Sequence, residues 1–92
     1  MSRIKLDVEQ MLAVAIKYER QSDNVEEMVR NLDNMLIELQ TYWEGASANK
    51  FEKNYLEVKP SILRLKEVIL ETSRVIKHTA ESISEVDKTI LG

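Results

Sequence analysis

Residues 42–51, YWEGASANKF, lie at the midpoint of this 92-residue chain and hold its only Trp, its only Phe and one of its two Gly. Long charged stretches without Gly precede and follow them. Glycine readily takes the left-handed conformation at which a helix ends. We therefore expect Gly45 to turn the chain. Trp43 should cover the open end of the turn beside Phe51, with its indole N–H bound by turn carbonyls.

Apolar residues recur at alternating steps of three and four on both sides of this stretch, a pattern typical of a coiled-coil seam. A strand would need a period of two. A connection this short makes the helices antiparallel neighbours. The chain is thus predicted to be all-α, an antiparallel two-helix hairpin. The predicted seam consists of Val8, Met11, Ala15, Tyr18, Ser22, Val25, Val29, Leu32, Leu36, Leu39 and Trp43, facing Ala48, Phe51, Tyr55, Val58, Ile62, Leu65, Ile69, Thr72, Ile76, Thr79, Ile83, Val86 and Ile90.

We expect residues 1–92 to form one domain, with helices at about 7–42 and 47–90, a turn at about 43–46 and a mobile C-terminal tip. Asp7 followed by Gln10 resembles a capping box. Ser47 is a plausible N-cap for the second helix. Pro60 removes one backbone hydrogen bond, but the seam keeps its phase there, which predicts a kink and not a second turn.

Pairing the helices outward from the turn places Ser22 near Ile69 and Thr72, which makes a small polar layer. This layer is either a tolerated weak spot or a device that fixes the register. The same pairing brings Val8 opposite about Ile83, so that residues 84–92 extend past the first helix.

Further apolar rows flank the seam. A two-helix hairpin has no third element to cover them, and a long exposed apolar strip usually marks a partner site. The alternative is that the rows only widen the intramolecular seam. We expect two hairpins to pair into a four-helix bundle dimer. The predicted dimer interface consists of Leu56, Leu63, Leu70, Met28 and Met35.

The composition argues against nucleic-acid binding, catalysis and metal or cofactor sites. The net charge is −3 and no basic stripe exists, so no nucleic-acid partner is expected. The chain has no Cys, a single His, at 78, that we expect on the solvated surface, and too few Gly for a phosphate loop. We predict no catalytic, cofactor-binding or metal-binding residue, hence no enzyme. The net negative charge gives little attraction to anionic lipid, so we do not expect the protein to insert into a membrane.

Trp43-Glu44-Gly45 at the centre of a chain of about a hundred residues resembles the WXG (Trp-x-Gly, Esx-like) family of bacterial type VII secretion substrates. Asp7 before the first helix and Phe51 after the turn fit the same pattern. The resemblance implies a helical hairpin that pairs with itself or with a related WXG protein. It also implies a non-enzymatic effector or export partner, made in the cytoplasm and secreted or held at the cell surface by the type VII ATPase machinery without a cleaved signal peptide.

The tail departs from the family pattern. Many members carry Tyr-x-x-x-Asp/Glu near the C-terminus, whereas Tyr occurs here only at 18, 42 and 55. The nearest substitute is Ile83-x-x-x-Asp87 followed by Ile90. We expect this segment to be the export signal, or else to cover a neighbouring chain in the dimer. The altered tail also permits export only together with a partner that carries the signal. The alternative function is that of a cytosolic helical adaptor, in which Trp-x-Gly is only a turn.

Deleting residues 84–92 should therefore abolish export while the truncated protein stays helical and dimeric. The measurements are immunoblots of washed culture medium, circular dichroism and light scattering. Export at the normal level after the deletion would contradict the assignment of the signal. Loss of the dimer would instead assign these residues to the interface.

Overall fold

The computed structural model describes residues 7–91, with side chains described for residues 7–83. Two antiparallel helices, α1 at Val8–Leu39 and α2 at Ala46–Leu91, pack along their length. The predicted all-α two-helix hairpin is confirmed. The hairpin is a rod of 70 × 20 × 17 Å. Helix α1 ends three residues earlier than expected, and α2 begins and ends within one residue of its expected bounds.

Asp7 starts α1 in the way that its position before the first apolar residue predicts. Its backbone is extended, with φ −87° and ψ 94°, and its carboxylate accepts a hydrogen bond of 3.1 Å from the Gln10 N–H. One of the backbone donors that every helix leaves unpaired at its N-terminus is satisfied in this way.

The end of α1 tightens before the chain reverses direction. The N–H groups of Thr41 and Tyr42 donate to carbonyls three residues back, at 3.0 and 2.9 Å, which is how a helix end often satisfies its last carbonyls. Gly45 has the expected positive φ, at 105°. It does not end α1, however: its carbonyl accepts the Asn49 N–H at 3.1 Å, so Gly45 is the residue from which α2 starts. Ser47, the expected N-cap, lies inside α2.

Pro60 lies within α2, and the helix continues past it without a second turn, as predicted. Proline has no N–H, so the carbonyl four residues earlier, that of Leu56, lacks the usual intrahelical donor. The seam keeps its phase across this position, since Tyr55 and Ile62 both lie on the inner side of the helix.

The seam is built from small side chains. The fully buried residues in the described part of the chain are Ala15, Ser22 and Val29 in α1 and Ser73 and Ala80 in α2, at seven-residue spacing in each helix. The Ser73 hydroxyl donates to the Ala15 carbonyl at 2.8 Å, and the Ser22 hydroxyl donates to the Lys66 carbonyl at 3.4 Å. A side chain as short as serine reaches the backbone of the opposite helix only where the two helices approach closely.

The α2 seam differs from the predicted one at every second position. The predicted members Phe51, Val58 and Leu65 are about half exposed, and Thr79 is also exposed. Thr72 donates to the Val68 carbonyl of its own helix at 2.9 Å. The residues that face α1 are the next ones along the chain, namely Glu52, Lys59, Lys66, Ser73 and Ala80. The steps of three and four are kept, but their order is reversed, because close packing favours the small residues 73 and 80 over Thr72 and Thr79.

The register is fixed by three hydrogen bonds between the helices: Asp33 with Tyr55, Ser22 with Lys66 and Ala15 with Ser73. The partners are separated by 11 and then 7 residues in both helices, so the pairing is constant along the rod. It differs from the predicted register by three residues. The expected layer of Ser22 with Thr72 is not formed: Ser22 bonds to Lys66 and Ser73 bonds to Ala15, one heptad apart. These two bonds favour the interpretation of the buried hydroxyls as a register device.

Replacing Gly45 by Val should lower the melting temperature, by an amount that corresponds to ~1–3 kcal/mol for a strained backbone conformation. The cause is the backbone alone, since a Cβ at this position would meet no atom within 4 Å. Gly45→Asn is the matched control, because Asn enters positive φ far more readily than a β-branched residue. Equal melting temperatures for the two variants, measured by circular dichroism, would contradict this account.

Candidate functional site

The Trp-x-Gly turn is closed by two side-chain contacts. The Trp43 indole N–H donates to the Ser47 hydroxyl at 3.0 Å, and the rings of Trp43 and Phe51 lie 5.5 Å apart between centroids at 48°. The stacking beside Phe51 is as predicted. The indole partner is not a turn carbonyl but a serine in the first turn of α2. That role could have been read from the spacing, because Ser47 follows Trp43 by four residues across Gly45.

One long side of the hairpin carries a ladder of polar contacts between the helices. At seven-residue spacing along α1, Gln40, Asp33, Glu26 and Glu19 each contact a side chain of α2. The contacts are Gln40 with Glu52 at 2.9 Å, Asp33 with Lys59 at 2.8 Å, Glu26 with Lys66 at 2.9 Å and Glu19 with Lys77 at 2.9 Å. We call this the ladder side. The pattern of apolar residues at steps of three and four did not predict these contacts, because it does not include polar residues.

The ladder shifts the protonation equilibria of its members. The hydrogen bond from Lys59, followed by that from the Tyr55 hydroxyl at 2.7 Å, lowers the pKa of Asp33. The hydrogen bond from Lys66 lowers the pKa of Glu26, and the same contact raises the pKa of Lys66. Donation to Asp33 raises the pKa of Tyr55 to about 12. The groups are partly exposed, so each contact is screened by solvent.

The opposite long side is apolar, and we call it the apolar side. Helix geometry, at about 100° per residue, places on it most of the large hydrophobic residues that remain exposed. These residues are Val14, Tyr18, Met28, Met35, Tyr42, Phe51, Val58, Leu65, Val68 and Val75. Near the turn this side contains a shallow pocket of about 170 Å³, lined by Leu32, Met35, Leu36, Leu39, Phe51 and Tyr55.

The predicted dimer interface is divided by the structure. Met28 and Met35 lie on the apolar side. Leu56, Leu63 and Leu70 lie on the flank of α2 next to the ladder, since Leu63 is one turn from both Lys59 and Lys66. A single flat partner surface does not reach both groups. The Leu row therefore belongs to a different surface from the two Met residues.

The hairpin leaves much more surface in water than a globular protein of its mass. Its accessible surface is 7446 Å² at 10.7 kDa, against about 5,500 Å² expected for a compact monomer. Its radius of gyration is 21.0 Å, against about 12 Å for a compact chain of this length. The excess, about 1,900 Å² for one chain, is larger than the ~800 Å² that each partner buries in a standard protein–protein interface.

The predicted export residues are described only in part. Ile83 is half-buried against the hairpin. The side chains of Asp87 and Ile90 lie outside the described ones, and the helix backbone continues to Leu91. The export signal therefore stays a prediction. His78 is exposed, as the sequence suggests.

The described part of the chain offers no cluster of three His, Cys, Asp or Glu side chains that is arranged to hold a metal ion. Neither described helix is both long enough and apolar enough to cross a membrane.

Comparison with known proteins gives one consistent family. Residues 3–88 match the family model of WXG100, proteins of 100 residues with WXG. Protein YukE of Bacillus subtilis is 29% identical over 87 residues, which cover 95% of this chain and 90% of the relative. The type VII secretion system extracellular protein A of Staphylococcus aureus is 23% identical over 90 residues, with 98% and 93% covered.

Solved structures of similar proteins share the hairpin fold. The crystal structure of EsxA from Geobacillus thermodenitrificans has a TM-score of 0.84 at 32% identity and covers 91% of this chain and 93% of its own. The secreted protein EsxB of Bacillus anthracis has a TM-score of 0.82 at 20% identity, with 95% and 99% covered, and so supports the fold alone. The hairpin that the sequence predicts is the fold of these proteins.

The ladder should make stability depend on pH at both extremes. The pKa values of Asp33 and Glu26 are lowered from their ordinary values of 3.8 and 4.5, so their contribution to stability is present above about pH 4.5 and is lost as the pH falls through the lowered pKa values. The raised pKa of Tyr55 means that its contribution is present below pH 10 and is lost between pH 10 and about 12. Melting temperatures across these windows are the measurement.

Asp33→Asn should flatten the acid slope of that curve, because the amide carries no charge to lose. Glu27→Gln is the matched control, since Glu27 makes no side-chain hydrogen bond or ion pair with the described residues. An acid slope that is unchanged in Asp33→Asn would show that the ladder does not couple to folding.

Proposed function

Since this chain belongs to the WXG100 family, we propose that it is exported by a type VII secretion system as a folded dimer of helical hairpins, and that it acts outside the cell as an interaction protein or accompanies another substrate. The chain is a homologue of type VII secretion system extracellular proteins and is extracellular and non-enzymatic in character. The dimer, the export route and the role as a partner are the parts that we propose.

The uncovered apolar side is the observation that carries the proposal of a dimer. Met35 is 60% exposed and Phe51 46% exposed in the single hairpin. Burying a side chain of this size stabilises an assembly by ~1.5–3 kcal/mol, and several such residues per copy outweigh the cost of association. The partner is a second copy, or a related WXG protein that presents a similar face.

The interface that we propose lies on the apolar side, with Met28 and Met35 near its centre. Two hairpins that meet through this side form a four-helix bundle in which the ladder of each copy faces solvent. The row of Leu56, Leu63 and Leu70 then stays outside the interface, on the flank beside the ladder.

The alternative function is that of a cytosolic helical adaptor, which the same apolar side would serve equally well. Location separates the two. In the cell that makes the protein, it should accumulate in washed culture medium while a cytosolic marker stays inside, and it should vanish from the medium when the type VII secretion ATPase is deleted. Accumulation in the medium that does not depend on the ATPase, or retention in the cytosol, would contradict export by this route.

Met35→Lys should weaken the dimer, because a charge is placed in an interface that excludes water. Leu63→Lys is the matched control on the ladder side and should leave the dimer intact. The measurements are light scattering across a concentration series and circular dichroism to check folding. A parent protein that is monomeric at high concentration would contradict the dimer, and a dimer lost in Leu63→Lys alone would move the interface to the Leu row.

A further inference from the structure

We propose that the ladder side binds a basic amphipathic helix of a second protein, and that each chain of the dimer carries one such partner. This inference rests on the proposed function and deepens it, because it names the surface on which the chain holds the substrate that it accompanies. The second copy occupies the apolar side, and the ladder side is the long surface that the dimer leaves in solvent.

The ladder lies between two outer rows of residues, one on each helix. On α1 the fully buried residues, such as Ser22, lie on one flank of the ladder row. The residues three positions before or four positions after a ladder residue lie on the other flank, and on α2 the corresponding row is the row of leucines. We call these rows the α1 edge and the α2 edge. The α1 edge consists of Ile16, Asp23, Arg30 and Ile37, and the α2 edge consists of Leu56, Leu63, Leu70 and Lys77.

The edges hold aliphatic side chains in water. Ile37 is 65% exposed, Leu56 is 49% exposed and Ile16 is 45% exposed. Neither the seam nor the proposed dimer interface uses these residues. Exposed aliphatic residues that recur on one surface indicate a partner site, so the ladder side is a second candidate for binding.

Near the turn, Ile37 and Leu56 lie on opposite walls of a groove. Each is one turn from the contact between Asp33 and Lys59, whose Oδ2 and Nζ atoms are 2.8 Å apart. The two aliphatic side chains therefore border the same stretch of the ladder from its two sides, and the ion pair lies between them.

The far end of the groove repeats this arrangement. Ile16 follows Ala15 in α1, and Leu70 lies one turn before Ser73, whose hydroxyl bonds to the Ala15 carbonyl at 2.8 Å. Ile37 follows Ile16 by 21 residues, which is about 30 Å along the helix. A helix of about 20 residues spans this distance and would contact the aliphatic side chains at both ends of the groove.

A helix fits this groove better than an extended strand does. Strand addition needs an exposed sheet edge with unpaired backbone donors and acceptors, whereas both walls here are helices, whose backbone groups bond internally. An amphipathic helix instead binds a groove through side chains at steps of three and four. The leucines of the α2 edge, at seven-residue spacing, match that repeat.

The cations of the ladder side are already engaged. Each forms an ion pair, at 2.8 to 3.5 Å, with a carboxylate of α1, and these cations are Arg30, Lys59, Lys66 and Lys77. Among the described residues of this side, no ammonium or guanidinium group is left without a carboxylate partner.

Two carboxylates of the same side lack a cation. Asp23, in the α1 edge, makes no ion pair with residues 7–83, and neither does Glu52. The hydrogen bond that Glu52 accepts, at 2.9 Å, comes from the neutral amide of Gln40. The uncompensated charge of the ladder side is therefore negative, at its middle and near the turn. Lys or Arg side chains of a partner at these two levels would supply the missing ion pairs.

This pattern of charge favours a different protein over other occupants. A second copy of the chain would bring a ladder side whose cations are all in use, so Asp23 and Glu52 would stay without a partner. A nucleic acid or an anionic lipid surface would add negative charge to negative charge. A basic helix with an aliphatic stripe satisfies both the carboxylates and the edges.

The probe is a synthetic helix of about 20 residues, with Leu at steps of three and four, Lys beside the Leu stripe and Ala elsewhere. It should bind the full-length dimer with one peptide per chain, as measured by isothermal titration calorimetry. Backbone amide shifts in nuclear magnetic resonance spectra should change at Ile16, Ile37 and Leu63 and stay unchanged at Met28 and Met35. The same peptide with Glu in place of Lys is the control and should not bind.

Leu63→Lys tests the aliphatic contact. It should raise the dissociation constant of the Lys peptide about tenfold or more, as expected for an anchor at the centre of an interface. Ala13→Lys is the matched control, because Ala13 is exposed, lies on the outer side of α1 and receives the same added charge. It should leave the dissociation constant nearly unchanged. Light scattering and circular dichroism check that both variants stay dimeric and helical.

Asp23→Lys tests the charge contact. It should raise the dissociation constant of the Lys peptide about tenfold at low salt and less at high salt. Glu27→Lys changes the net charge by the same amount, one turn further along α1 but on its outer side, and should have little effect. Equal losses in the two variants would show that net charge alone attracts the peptide, which would overturn the ladder side as the site.

Three further outcomes would overturn the proposal while leaving the dimer and its export standing. Equal binding of the Glu peptide would remove the basic partner. Shifts confined to the apolar side, or no binding, would remove the ladder side. Particles larger than a dimer that disappear in Leu63→Lys would assign the ladder side to a second copy. A parent protein that is monomeric or stays in the cytosol would instead remove the proposed function itself.

Discussion

The close approach of the two helices is the constraint on which the remaining structure depends. The Ser73 hydroxyl reaches the Ala15 carbonyl at 2.8 Å across the seam, and Ala80 is fully buried one heptad further on. Small residues permit this distance, and the hydroxyl bonds give the register a direction that apolar packing alone would leave free to slip. Where the helices approach most closely, the seam has room only for small side chains. Bulky residues such as Met35 and Phe51 are left exposed on the outside of the pair.

The excluded side chains are sorted between two sides with different physical character. Charged members at seven-residue spacing bridge the helices on the ladder side, where Glu26 meets Lys66 and Asp33 meets Lys59. These contacts are partly exposed and individually weak, so their repeated arrangement favours one pairing of the helices more than it adds stability. The apolar side has no such bridges and leaves residues such as Met35 in water. One hairpin is therefore a folded unit with an exposed apolar side, which is the form expected of a protein that binds other proteins.

The sequence predicts the hairpin because its strongest local features agree: a 3,4 repeat, the Asp7 cap and a Gly between two long helices. It also predicts that Trp43 lies beside Phe51 and that Pro60 does not divide α2. The α2 seam was predicted at the wrong alternate positions, since steps of three and four fit two phases of the same row. Apolar content favoured Val58 and Leu65, whereas close packing favoured Ser73 and Ala80, whose phase brings Lys59 and Lys66 into the ladder. Side-chain size at the point of closest approach, which a hydrophobic pattern does not measure, decided between the phases.

Trp and Gly stand two residues apart in this turn because the direction in which α2 leaves Gly45 decides which side chains the indole meets. A chain that reverses in so few residues needs one residue at positive φ, and Gly45 supplies it at 105°, with open space where a Cβ would lie. The next helix then starts at once, which places Ser47 in its first turn and within 3.0 Å of the Trp43 indole N–H. Phe51, one further turn along α2, meets the ring from the same direction at 5.5 Å. Gly45 determines the direction in which α2 leaves the turn. Only with that direction does the Trp43 indole bond to the Ser47 hydroxyl and pack on the Phe51 ring. The Trp-x-Gly turn thus aligns the two helices at one end of the hairpin, and the small residues of the seam hold them together along its length.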